Sequence, residues 1–129
     1  MRPPIADALN LQPLPGEGGW YRRTWETAGT SAIYYYLAPG ETSAWHILRC
    51  AELWLWHSGD PLALHLGGSG SEPALAETVL LGPDLSRGQR PQGLVPADVW
   101  QSAESAGDQG TLVTCVCSPA YTDADFRLA

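Results

Sequence analysis

Gly40-Glu-Thr-Ser-Ala-Trp-His46-Ile-Leu-Arg-Cys50-Ala-Glu52-Leu-Trp54-Leu-Trp56-His57-Ser-Gly59 is the stretch whose reading decides the fold. Two short strands, Ser43 to Leu48 and Glu52 to His57, fit its β-rich composition between glycine breaks. Side chains alternate across a strand, so His46 shares a face with Ala44 and Leu48. By the same rule Glu52, Trp54 and Trp56 share a face, and Leu53, Leu55 and His57 take the other. An acid alternating with two tryptophans suits a pocket with an apolar wall and few polar groups. His57 points away from Glu52 and reads as a hydrogen-bonded structural histidine.

Outward from that stretch the chain keeps the same grammar. Ser31 to Leu37, Leu62 to Leu66, Thr78 to Leu81, Gln92 to Val95, Val99 to Ala103 and Thr111 to Ser118 read as further strands. Fourteen glycines and eleven prolines punctuate them, and no amphipathic helix of useful length competes. The pattern predicts a single all-β domain over residues 1–129, a sandwich or barrel. Residues 1–19 form a turn-rich lead-in, residues 67–73 a flexible loop of small and polar residues. Asp123 and Asp125 before Arg127 allow one short C-terminal helix over Thr122 to Ala129.

Composition narrows the function. The chain carries a net charge of −7 and no lysine, its positive charge being seven arginines. Nucleic acid and anionic membrane are excluded as partners, because neutralising phosphate supplies most of such affinity. Schiff-base and P-loop chemistry go with the lysines. No apolar run reaches the roughly 20 residues of a membrane span, and Met1 to Leu14 has no apolar signal core. The expected location is therefore the cytoplasm. Cys50, Cys115 and Cys117 make neither a disulfide framework nor a zinc motif, and read as small packing residues.

The spacing from Gly40 to Gly59 resembles the first cupin motif, G-x5-H-x-H-x3-E-x6-G, with Leu48 at the second histidine. Pro96-Ala-Asp98-Val-Trp-Gln101 resembles the second motif, P-x-G-x-x-H, with Asp98 at the glycine and Gln101 at the histidine. Together with Glu17-Gly-Gly-Trp-Tyr-Arg22, Ile33-Tyr-Tyr, Gly59-Asp-Pro-Leu62 and Ala124-Asp-Phe-Arg-Leu-Ala129, the whole chain is similar to the cupin-5 family, whose function is largely unassigned. The family usually has histidine where Leu14 and Leu55 stand, and Gly16 looks inserted, so no role of those histidines transfers.

The resemblance implies a jelly-roll β-barrel whose pocket takes a small polar metabolite. His46 and Glu52 are then the candidate acid and base. Gln101, Trp54, Trp56, Tyr34, Tyr36, Tyr21 and Arg22 are the candidate ligand-binding residues. Metal-free cupin sugar epimerases, which use histidine and tyrosine for proton transfer beside a carbonyl, supply the analogy for an isomerase-like enzyme. One alternative is a binding module without turnover. The other is an enzyme with a weakly held divalent metal on His46, Glu52 and Gln101. No resident cofactor is expected, since a neutral glutamine is a poor ligand and Leu48 removes an imidazole. The expected ligand is a sugar or nucleotide derivative, partly anionic and held at the mouth by Arg22 or Arg23, with Arg49 and Arg90 as weaker candidates. Open strand edges and the aromatic run Trp20 to Trp25 predict a homodimer.

Overall fold

The computed structural model describes residues 2–129. A five-residue helix, α1 (Pro4–Ala8), precedes eleven strands: β1 (Gln12–Pro13), β2 (Trp20–Glu26), β3 (Ser31–Leu37), β4 (Thr42–Leu48), β5 (Ala51–Gly59), β6 (Leu62–Leu66), β7 (Glu77–Leu81), β8 (Gln92–Val95), β9 (Trp100–Ser105), β10 (Thr111–Ser118) and β11 (Phe126–Leu128). Antiparallel pairing gives a six-stranded sheet, β1-β2-β3-β10-β5-β8, and a five-stranded sheet, β11-β4-β9-β6-β7.

The all-β jelly-roll expectation holds, but the barrel does not close. The two sheets share no strand. On one side a lone bridge between Leu81 and Arg90 spans the gap from β7 toward β8. On the other side the edges are β1, two residues long and ending in Pro13, and β11, three residues long. Such short edges, one carrying a proline without an N–H, cannot continue a ladder across the seam.

Packing explains what the seam leaves open. Leu37, Leu62, Leu64, Leu81, Ala103 and Val113 fill one end of the space between the sheets. Tyr35 and Trp54, edge to face at 5.8 Å, close off that packed end. Beyond them the interior is a cavity.

Two terminal elements differ from expectation. The lead-in segment folds α1 with Pro4 at its first turn, where a missing N–H costs nothing, and seats Ala6 with Leu11 and Tyr36 on the outer face of the larger sheet. The tail begins as a helix would, with the Asp125 carboxylate accepting from the Thr122 backbone N–H at 3.0 Å. It completes only a 3-10 turn, Asp123–Asp125, and β11 then pairs with Leu48, Ile47 and His46 of β4. The predicted C-terminal helix is thus replaced by an edge strand, because Phe126 is drawn under the sheet to stack on His46 at 5.4 Å. The loop 67–73 is tied to Trp100: its indole N–H donates to Gly70 O at 2.9 Å, and its backbone N–H to Gly68 O. Among the described residues no helix is long and apolar enough to cross a membrane.

Candidate functional site

The cavity holds about 450 Å³ and opens along the seam between β2 and β11. Its floor is built by β4, β5 and β10. His46 and Leu48 come from β4, Glu52 and Trp54 from β5, Cys115 and Cys117 from β10. These strands sit in different sheets, so His46 and Glu52 meet across the sandwich.

Hydrogen bonding fixes the state of His46. Its Nδ1 lies 2.7 Å from Ala44 O, and a carbonyl only accepts, so Nδ1 carries the proton. Nε2 is left facing the Glu17 carboxylate, 3.8 Å from Oε1. Glu17 is itself held in the turn between β1 and β2: its Oε2 accepts from Ser43 Oγ at 2.7 Å, and its backbone O accepts from Ala44 N. His46 is 1% exposed, so these contacts are made away from bulk water.

Glu52 is the second buried acid. Loss of hydration and the neighbouring Glu17 charge push its carboxyl up to about 7, against the lowering influence of His46, Gln101 and Cys117. Cys117 Sγ–H donates weakly to its Oε2 at 3.5 Å. Behind it, Trp54 Nε1–H donates to Gln101 Oε1 at 2.9 Å, and an indole can only donate. That bond sets the amide's orientation and turns Nε2 toward Glu52 without closing a good hydrogen bond, so Nε2 is buried and unpaired.

Alternation decides the other candidates. His46, Glu52, Trp54 and Tyr21 line the cavity, and Gln101 stands behind Glu52. Trp56 faces inward but packs against the filled core, its indole donating to Asp60 O. Tyr34, Tyr36 and Arg22 point to the opposite face of the larger sheet. There Arg22 lies over the Tyr34 ring at 5.5 Å, and the Tyr36 hydroxyl donates to Gln109 O. Their one-residue neighbours take the inner positions: Tyr35 on β3 and Arg23 on β2. The Tyr35 hydroxyl donates to Gly18 O at 2.6 Å, and burial with the nearby Glu17 charge holds it ionised only at very high pH. Arg23 sits at the rim, over the Tyr121 ring at 6.0 Å and bonded to Glu26 at 3.0 Å.

Glu17, Tyr35, Tyr121 and Asp123 line the cavity without having been singled out as site residues. Glu17 lies in a glycine-rich turn with no periodicity to aim it. Cys115 and Cys117, read as packing residues, are buried free thiols on the cavity wall.

The residues present fit a metal poorly. Gln101 Oε1 is taken by Trp54, leucine occupies position 48, and among the described residues no group of three His, Cys, Asp or Glu side chains could hold a metal ion.

The sequence profile described as Cupin superfamily (DUF985) matches residues 4–129. The chain belongs to that family. A protein SO0799 from Shewanella oneidensis is similar over 100% of this chain and 85% of its own, at 33% identity and a TM-score of 0.89. A hypothetical protein from Leishmania major aligns over 96% of this chain and 84% of its own, at 28% identity and a TM-score of 0.85. Oxalate decarboxylase from Lactobacillus farciminis, at 16% identity and a TM-score of 0.67, covers 94% of this chain and 34% of its own and shares the fold alone. No curated protein matches the chain. In this cupin, Asp98 takes the place of the motif glycine and adopts φ +61°, the left-handed backbone that glycine serves elsewhere.

Proposed function

We propose that this cupin binds a small polar metabolite in the cavity between its sheets and moves a proton on it, without a metal. His46 is the base, because its Nδ1 proton is committed to Ala44 O and its Nε2 lone pair is free toward the cavity. Glu52 is the acid: a carboxyl pushed up to about 7 is protonated often enough at neutrality to give a proton away. The observation that carries this reading is their convergence from opposite sheets into one buried cavity. Glu17 steadies the imidazolium formed in the transfer, as a carboxylate at 3.8 Å can. Gln101 is a positioning residue, held by Trp54 against the Glu52 carboxyl.

Incubating the protein in deuterated water with carbonyl sugars tests the reading by solvent exchange at carbon. Exchange that disappears in His46→Ala and Glu52→Gln supports it. Binding without exchange across the series replaces it with a binding module.

The cupin is further proposed to be a homodimer joined along β2. β1 pairs only with Trp20 and Tyr21, which leaves the strand edge from Arg22 to Glu26 open, and Trp25 is 56% exposed. Sedimentation is expected to show a dimer that Trp25→Glu dissociates. A monomer at micromolar concentration removes the claim.

A further inference from the structure

Donors and acceptors are unevenly shared in the cavity, and that imbalance bears on the ligand's charge. Three carboxyls line it: Glu17 after β1, Glu52 on β5 and Asp123 before β11. The hydroxyl donors near its deep end are already spent, Tyr35 on Gly18 O and Ser43 on Glu17. His46 Nε2 is an acceptor once Nδ1 holds the proton, and it has no hydrogen-bond partner although the residue is 1% exposed. The lining of the deep end therefore offers lone pairs and asks for hydrogens, the unpaired Gln101 Nε2 donor standing behind Glu52 and off the lining. The one arginine on the lining, Arg23, is bonded to Glu26 at the rim and keeps 42% of its side chain exposed. It neutralises little of the interior.

The walls match the same demand. Trp54, Tyr35, Tyr21 and Phe126 present aromatic rings to the cavity, and ring faces attract cations. An anion entering here would lose its hydration beside the Glu17 carboxylate with no free cation to receive it.

Building on the reading of the cavity as the binding site, we propose that its ligand is a small organic cation, a protonated primary amine whose ammonium points to Glu17, His46 Nε2 and Glu52. This replaces the expectation of a partly anionic ligand held by arginine, since Arg22 lies on the far face over Tyr34 and Arg23, although at the rim, is bonded to Glu26. The ammonium supplies three N–H donors: one to His46 Nε2, which otherwise lacks any, and the others to Glu17 and Glu52, whose side chains accept from only Ser43 and Cys117. The ligand's body, apolar or hydroxylated, lies against the aromatic wall.

Charge preference is read from binding alone, so it stands or falls apart from any proton transfer. Benzylamine, benzyl alcohol and benzoate form a series of one shape and three charges, titrated by tryptophan fluorescence or calorimetry. The amine is expected to bind at least about tenfold more tightly than the alcohol, with benzoate weakest. Glu17→Gln should remove most of the gap between amine and alcohol, by weakening the amine more than the alcohol. A second readout needs no variant. The groups facing Glu52 are His46 from β4, Glu17 from its turn, Gln101 from β9, and Cys115 and Cys117 from β10. Raising the pH from about 6 to about 8 strips the proton from Glu52, so amine affinity should rise. Benzoate binding as tightly as benzylamine overturns the proposal. So does an amine affinity that falls over that pH range, or the absence of amine binding into the millimolar range.

Discussion

Glu52 pays for its position in the cupin interior, and the cost has a pH signature. Its carboxyl titrates near 7 in the folded chain and near 4.5 when unfolded, because burial disfavours the charged form. Between those values the folded state holds more protons than the unfolded one, so stability falls as the pH rises through the window. Glu52→Gln, which removes the titration, is expected to unfold much like the parent at pH 4 and to be more stable at pH 8 by up to about 3 kcal/mol. Urea unfolding at the two pH values checks this, and an equal difference at both would show that the carboxyl is not strained. At this scale the sequence was legible in part. The motif spacing located His46, Glu52 and Gln101, which come from three strands of two sheets. It could not say which face of Ile33-Tyr34-Tyr35-Tyr36 or of Tyr21-Arg22-Arg23 turns inward. Alternation groups residues by face without naming the buried one, and aromatic residues occupy both faces of β3: Tyr35 toward the cavity, Tyr34 and Tyr36 toward α1.

The strands hold the site in register through their ends as much as through their middles. Gly59 closes β5 at φ +93°, and a Cβ there would strike the backbone carbonyl of Gly110 at the start of β10. Neither backbone can yield without breaking the β5–β10 ladder, which carries Glu52 opposite Cys117. Gly59→Ala is expected to cost about 2 to 3 kcal/mol, read as a lower midpoint in thermal or urea unfolding. An unchanged midpoint would mean that the turn relaxes freely. Eight of the eleven strands, β3 to β10, were visible as short β-rich runs between glycines and prolines, and β1 and β2 were read only as a turn-rich lead-in and an aromatic run. The tail strand was not visible. Thr122 and Asp125 make a genuine capping arrangement, but the next residues include Phe126, whose ring is worth more beneath His46 than on an isolated helix turn. Local signals set the start of an element, and a tertiary contact set its fate.

Over the whole molecule, the failure to close is what gives the interior an opening. A continuous ladder between β2 and β11 would bury His46, Glu52 and Trp54 beyond reach of any ligand. Short edges at β1 and β11 leave a seam that leads to them. Motifs fix which residues come together, but closure depends on edge strands of two or three residues, too short to leave a periodic trace. The account rests on a neutral-range acid standing before a histidine in that cavity. Carbon-13 NMR titration of the Glu52 carboxyl measures it directly, in the parent chain and in His46→Ala. The predicted result is a midpoint near 7 that moves higher without His46, because a ring that takes up a proton favours the carboxylate beside it. A midpoint near the ordinary value of 4.5, unmoved by the substitution, would contradict the account.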